Sequence, residues 1–385
     1  MIIFIKITEY KKIIEKYEEK YNFELEKCKN NLIDCMKEYD KEQFIKCMYN
    51  YRKLIKALIL EIINEFEEFK KIKCCILING SLARGTNTLH SDIDINYFYD
   101  NKNFEQMINL EEKVNYILQT IMKYRGKDRI HSMVVYLPLI RNNKYEFINN
   151  NNYPIYFEDG IINNKCRENA EQLMYETYNS TREIDDLINY LNENDNENYI
   201  NEWTNCFELI YDNNLYQEFI KKRIINKNTK NIKNNINDIL KSINEDNNYI
   251  NNEKRKINIK DLKYFYKMLT LNNAYKILAL YFRINSKFKT INIKEFEEKN
   301  IGLPQEFYDS FYKYLNLIQK LQYLLDKENM DLSYHSTQTI LKTKLNNNYK
   351  KYFNSNCLIE DLNIAKYEFY EICKNILEKE VTKYE

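Results

Sequence analysis

Glycine, proline and tryptophan are scarce in this chain, at 5, 3 and 1 of 385 residues. Asn, Ile, Lys and Tyr are heavily used instead, which reads as coding bias toward AT-rich codons rather than as function. Asn-rich stretches are correspondingly weak evidence for anything. Charge of one sign is also missing. With 58 basic and 57 acidic residues the net is +1, so nothing overall points to a nucleic-acid or membrane polyelectrolyte, although local basic patches stay open. Nine cysteines, an odd number with no C-x-x-C spacing, argue against a disulfide framework or zinc knuckle and for reduced core thiols in a cytoplasm. No stretch reaches about 18 uncharged apolar residues, so no membrane span is expected. The N-terminal MIIFIKITEYKK is apolar for only five residues and lacks a signal peptide's features. The length allows two or three domains with real cores.

Residues 9–38 and 41–70 carry helical periodicity. In the second, Phe44, Ile45, Met48, Ile55, Leu58, Ile59, Ile62, Ile63 and Phe66 recur at three- and four-residue steps among Lys, Glu and Asn. The pattern then changes. KIKCCILIN (71–79) is a short apolar run, a buried strand that Cys74 and Cys75 begin. SDIDINYFYD (91–100) alternates as a strand should. Residues 103–125 return to helix, 129–140 reads as strand, and 144–148 and 153–159 as two more. This centre is a small mixed α/β unit over 71–160. Beyond 166 the pattern is almost wholly helical, with helices over 167–191, 203–225, 260–285, 304–326 and 357–380. Between them 226–258, dense in Asn and Lys, reads as a linker or poorly ordered insert. The expected class is α+β: N-terminal helices (1–70), the sheet unit (71–160), a helical extension (161–225), the linker (226–258) and a C-terminal helical domain (259–385).

Two of the few glycines stand together in LINGSLARGTNTLHSDIDINYFYD (77–100), Gly80 and Gly85, followed by Asp92 and Asp94 inside an apolar run. On a strand these acids share one face, about 6–7 Å apart. As like charges they repel there. A divalent cation removes that difficulty and makes the pair a hard oxygen site suited to magnesium. Gly80 ends one strand and lets the chain turn so that Ser81 opens a short helix, whose first N–H groups and hydroxyl make a phosphate cradle. A lone D-x-D is usually a pair of surface charges, a lone Gly-Ser any turn, Arg84 alone a solvated charge and Ser91 alone an ordinary strand-entry residue. In this order the parts would grip a metal-bound triphosphate.

GSLARGTNTLHSDIDI resembles the G-S-x(10)-D-x-D signature of the DNA polymerase β-like nucleotidyltransferase superfamily, over roughly residues 70–140. The variant is similar to minimal nucleotidyltransferases and their protein adenylyltransferase relatives, and non-canonical poly(A) polymerases show comparable spacing. The resemblance implies that Gly80 and Ser81 bind the triphosphate, Asp92 and Asp94 bind two magnesium ions, Arg84 touches phosphate and Ser91 supports the strand entry. It also implies a third carboxylate on a later strand, where the sequence departs from a clear match. Glu146 is the favoured residue; Asp128, Glu158 and Asp159 are alternatives, and His131 is a base if no third acid exists. His90 reads as a loop residue.

The reaction implied is transfer of a nucleoside monophosphate, AMP from ATP, to a hydroxyl of a protein or small molecule, with pyrophosphate leaving. RNA tailing or oligonucleotide formation, and a catalytically inactive nucleotide-binding module, stay open. No membrane partner is expected.

Overall fold

The computed structural model describes residues 2–78, 80–89, 91–99, 104–122, 130–136, 145–148, 154–158, 161–162, 208–215, 236–237, 239–245, 293–298, 302–327, 338–355 and 357–382, with separate positions between 266 and 281. The chain divides into two compact units. One is Met1–Cys28, Asn50–Gly85 and Ser91–Lys227; the other is Lys29–Tyr49, Thr86–His90 and Asn228–Glu385.

In the first unit, the part of helix α1 (Ile2–Lys37) up to Cys28 buries Tyr10, Ile14, Tyr17, Tyr21 and Leu25, a stripe at three- and four-residue steps. The part of helix α2 (Lys41–Asn64) from Asn50 on contributes Tyr51, Ile55, Leu58, Ile59, Ile62 and Ile63. The Tyr17 hydroxyl donates to Glu61 O at 3.0 Å and to Glu65 Oε1 at 2.6 Å, beside ion pairs Lys16–Glu65 and Lys20–Glu61. Short helix α3 (Glu68–Lys71) brings Phe69 against Tyr97, rings stacked 6.3 Å apart, and within 6.0 Å of the Tyr211 ring.

The sheet has seven strands: β1 (Cys74–Ile78), β2 (Ile93–Tyr99), β3 (Ile130–Tyr136), β4 (Tyr145–Ile148), β5 (Pro154–Glu158), β6 (Ile161–Ile162) and β7 (Glu208–Asn213), in the order β6-β5-β4-β3-β2-β1-β7. Every β1 residue is buried, as a continuous apolar run demands of a central strand. Between β1 and β2 lies the short helix α4 (Gly80–Arg84). Strands β2 and β3 pair in parallel, which requires a crossover. Helix α5 (Phe104–Ile121) supplies it, burying Met107, Leu110, Val114, Ile117 and Ile121. The other ladders between these strands are antiparallel.

The second unit contains α6 (Ile293–Glu298), α7 (Gln305–Lys327), α8 (Gln338–Phe353) and α9 (Leu358–Val381). Phe307, Phe311 and Tyr314 of α7 gather around the Phe369 ring of α9 at 5.4, 5.9 and 6.5 Å. The α+β class stands. Among the described residues no helix is long and apolar enough to cross a membrane. The described cysteines are free thiols; burial, helped by the Asp212 charge, pushes the Cys74 thiol up to about 12.

Two elements differ from the sequence expectation. ELIYDN, inside the helix expected over 203–225, is strand β7, because its backbone completes the open edge of β1. Residues 239–245, inside the stretch expected to be a linker, are helical, with Ile236, Ile239 and Ile243 buried. Ser242 Oγ donates to Asn273 Oδ1 at 2.8 Å, and Asn273 Nδ2 donates to the Tyr370 hydroxyl at 3.1 Å. That chain of polar side chains ties an Asn-rich segment to α9. The helix expected over 167–191 lies outside the described residues.

Candidate active site

Ile78, the last residue of β1, is the register partner of Ile95, so Asp94 stands beside the turn that follows β1. Gly80 occupies that turn with φ +63°, a left-handed backbone that L side chains rarely adopt. A Cβ placed there would overlap Asp94 Oδ2 and lie 3.1 Å from Asp94 Cγ. Glycine is thus required twice, for the turn and for the carboxylate's approach. In α4, Leu82 and Ala83 are buried while Ser81 and Arg84 are half-buried. Gly85 closes the helix at φ +78°, its N–H reaching Leu82 O at 3.4 Å.

Asp92 is exposed and immediately precedes β2; Asp94 is half-buried within it. Ile93, Ile95 and Tyr97 are 2, 0 and 0 % exposed. That alternation assigns the two aspartates to one side and the apolar residues to the other. Asn96, on the same side as the aspartates by period, is buried. Ser91 is buried just ahead of Asp92.

The segment joining the elbow to the aspartates belongs to the second unit. Thr86, Asn87, Thr88 and Leu89 are all buried. Gln319 of α7 donates its Nε2 to Asn87 O at 2.9 Å and accepts from Leu89 N at 3.2 Å. One side-chain amide therefore satisfies a carbonyl and an N–H that burial removes from water.

In the first unit the far end of α4 is held by Arg52 of α2, which is 5 % exposed. Its Nε donates to Leu82 O at 2.6 Å and its terminal nitrogen to Ala83 O at 2.9 Å. The same nitrogen pairs with Glu208 at the start of β7, and Lys56, one turn further along α2, pairs with Glu208 as well. Neither Arg52 nor Gln319 figured among the sequence candidates. For Arg52 a signal existed: it is a charge on the apolar stripe between Met48 and Ile55. For Gln319 there was none, since its partners are backbone atoms about 230 residues away in the chain.

The third-carboxylate candidates fare differently. His131 is the Cα register partner of Asp94 on the adjacent strand β3. Val134 pairs with Ile148 in the antiparallel β3–β4 ladder, which sets Glu146 opposite Tyr136, itself the partner of Tyr99. Glu146 is therefore level with the far end of β2, about 17 Å along the strand from Asp94 and two strands away. This register corrects the preference for Glu146, because a strand's pairing offset is not written in its own composition. Glu158 ends β5, further still from β2. Asp128, Asp159 and His90 lie outside the described residues.

Asp92 and Asp94 offer carboxylate oxygens alone. That donor set fits magnesium, which takes one or two carboxylates and fills its other positions with water and substrate phosphate. Among the described residues no group of three or more His, Cys, Asp or Glu is gathered for a metal.

Residues 61–130 match the family model described as polymerase beta, nucleotidyltransferase. The match runs from the last turn of α2 to the first residue of β3 and so contains the elbow and both aspartates. No curated protein matches the chain. The glycine elbow against the second aspartate of the D-x-D strand lies inside the matched residues 61–130, and the match supports a nucleotidyltransferase domain of the DNA polymerase β-like superfamily there, which implies a nucleotide substrate.

Proposed function

We propose that this domain transfers AMP from ATP to a hydroxyl of a protein or small-molecule acceptor and releases pyrophosphate. The observation that carries the reading is the fit of Gly80 against Asp94, which joins the two halves of the motif, eleven residues apart in sequence between Ser81 and Asp92, into one locus. Asp92 and Asp94 would hold the magnesium ions. Bound there, magnesium would neutralise phosphate charge and lower the pKa of the attacking hydroxyl.

The chain's own residues do the rest. Gly80 and Ser81 bind the β- and γ-phosphates through backbone N–H groups and the Ser81 hydroxyl, and Arg84 adds positive charge to the same phosphates. The acceptor oxygen forms a bond to the α-phosphorus, and the bond from that phosphorus to the bridging oxygen of pyrophosphate breaks. The hydroxyl proton passes to a base, for which His131 is our candidate from its register with Asp94. Ser91, buried at the strand entry, steadies Asp92.

The test is incubation with each α-labelled nucleoside triphosphate, magnesium and a host lysate, using wild type and the Asp92→Asn/Asp94→Asn double variant. Label from ATP entering protein or small molecules, lost in the double variant or on adding EDTA, supports the proposal. Label entering RNA would make the enzyme an RNA-tailing transferase. Wild-type turnover by the double variant eliminates the site.

A further inference from the structure

We propose that Arg52 is a positioning residue for the phosphate elbow, setting Gly80 and Ser81 against Asp94 by gripping the opposite end of α4. The inference rests on the nucleotidyltransferase reading above and adds to it a residue outside the signature, on another element.

A five-residue helix closes few i to i−4 hydrogen bonds, and of its last carbonyls Leu82 O meets only the 3.4 Å approach of Gly85 N–H from its own turn. Left to itself α4 has little to fix its axis. Arg52 supplies two N–H groups, to Leu82 O at 2.6 Å and Ala83 O at 2.9 Å. Its positive charge stands where a helix's C-terminal carbonyls present their negative end. The planar fork matters: it reaches two successive carbonyls and a carboxylate at once, which a lysine ammonium cannot do in the same geometry. Glu208 balances the buried charge and is itself shared with Lys56, so the guanidinium is anchored from β7 while it holds α4. Since α4 starts at Gly80, whose missing Cβ lets Asp94 approach, a tilt of its C-terminal end moves Gly80 relative to the carboxylate, and Ser81 with it.

Removing Arg52 leaves Leu82 O and Ala83 O without its two N–H groups and costs stability, while Glu208 keeps Lys56 as partner. Stability and orientation are therefore separate effects, and ligand affinity measured on the folded protein reads the second.

The experiment compares wild type with Arg52→Met and Arg52→Lys, each held well below its own unfolding midpoint. It measures the dissociation constant for MgATP and the hydrogen exchange of the α4 and β1 amides. Arg52→Met is expected to weaken MgATP binding tenfold or more and to speed exchange in Ser81–Gly85 while Ile76 and Leu77 of β1 keep their protection. Arg52→Lys is expected to fall between. A merely structural role would loosen α4 and β1 together and leave the affinity of the folded fraction unchanged. MgATP affinity within twofold of wild type in both variants overturns the inference and leaves the nucleotidyltransferase reading intact. If Arg52→Met does not fold, Arg52→Lys decides by the same criteria. Wild-type protein that does not bind MgATP overturns the site and, with it, the role of Arg52.

Discussion

Replacing Gly80 with alanine isolates the contact on which the site depends. Two costs arise, and they can be separated. The left-handed backbone, φ +63°, costs an L residue about 1–2 kcal/mol. The new Cβ overlaps Asp94 Oδ2 and stands 3.1 Å from Asp94 Cγ, so the carboxylate must turn away, an overpacking cost of about 1–3 kcal/mol. The first cost is independent of Asp94; the second vanishes with it. A double-mutant cycle of Gly80→Ala and Asp94→Ala, followed by urea unfolding, should show a coupling of about 1 kcal/mol or more, with Gly80→Ala cheaper in the Asp94→Ala background. Gly85→Ala, at φ +78°, controls for backbone strain and should show no such coupling. In otherwise wild-type protein Gly80→Ala should also weaken MgATP binding, because the displaced Asp94 no longer meets the elbow. Additivity within about 0.5 kcal/mol would refute the claimed contact.

Further outcomes follow from other observations. The Asp92→Asn/Asp94→Asn variant should melt at or above the wild-type temperature, since it relieves like-charge repulsion; a clear drop would mean that the acids are structural. Gln319→Ala removes the partner of both Asn87 O and Leu89 N in a buried loop, and unfolding should register a loss of about 2–3 kcal/mol; a loss below about 0.5 kcal/mol would show that water substitutes for the amide. Hydrogen bonding from Lys16 and from the Tyr17 hydroxyl holds the Glu65 carboxyl below its usual range. In the window below the ordinary value of 4.5 the unfolded chain binds the extra proton, so stability rises with pH there. The contribution is complete above 4.5 and is lost as pH falls through the folded value. Acid unfolding curves of Glu65→Gln should be flatter than wild type across that window, and parallel curves would count against the interaction. Cys74, with its thiol pushed up to about 12, should resist iodoacetamide at pH 8 until the protein is unfolded, as peptide mapping would show.

The legible parts of this protein are those whose physics is local. The run CCILI admits only a buried strand, and β1 is buried throughout. Helices α7 and α9 announced themselves by apolar periodicity, as did α5. Helix α8 escaped, because its buried Leu345, Tyr349 and Phe353 are spread four apart among Lys and Asn. ELIYDN is illegible as a strand because a short mixed run has no decisive period, and a strand there exists only where an edge waits for it. The Asn-rich composition hides the helical segment at 239–245 for a related reason: three isoleucines suffice once the fold buries them.

For the site, the residue types and spacing of G-S-x(10)-D-x-D already demanded a turn that only glycine can make and a carboxylate two residues on from another at the entry of a strand, where Asp92 precedes β2 and Asp94 lies within it. Those are constraints within a few residues of chain, and sequence alone determined them. Which side chain approaches that locus from elsewhere was decided by tertiary structure. Pairing register carried Glu146 to the far end of the sheet and set His131 beside Asp94. The packing of α2 and β7 brought Arg52 and Glu208 to the end of α4. Such meetings depend on strand offsets and helix positions summed over the whole fold, and no short window of sequence contains them.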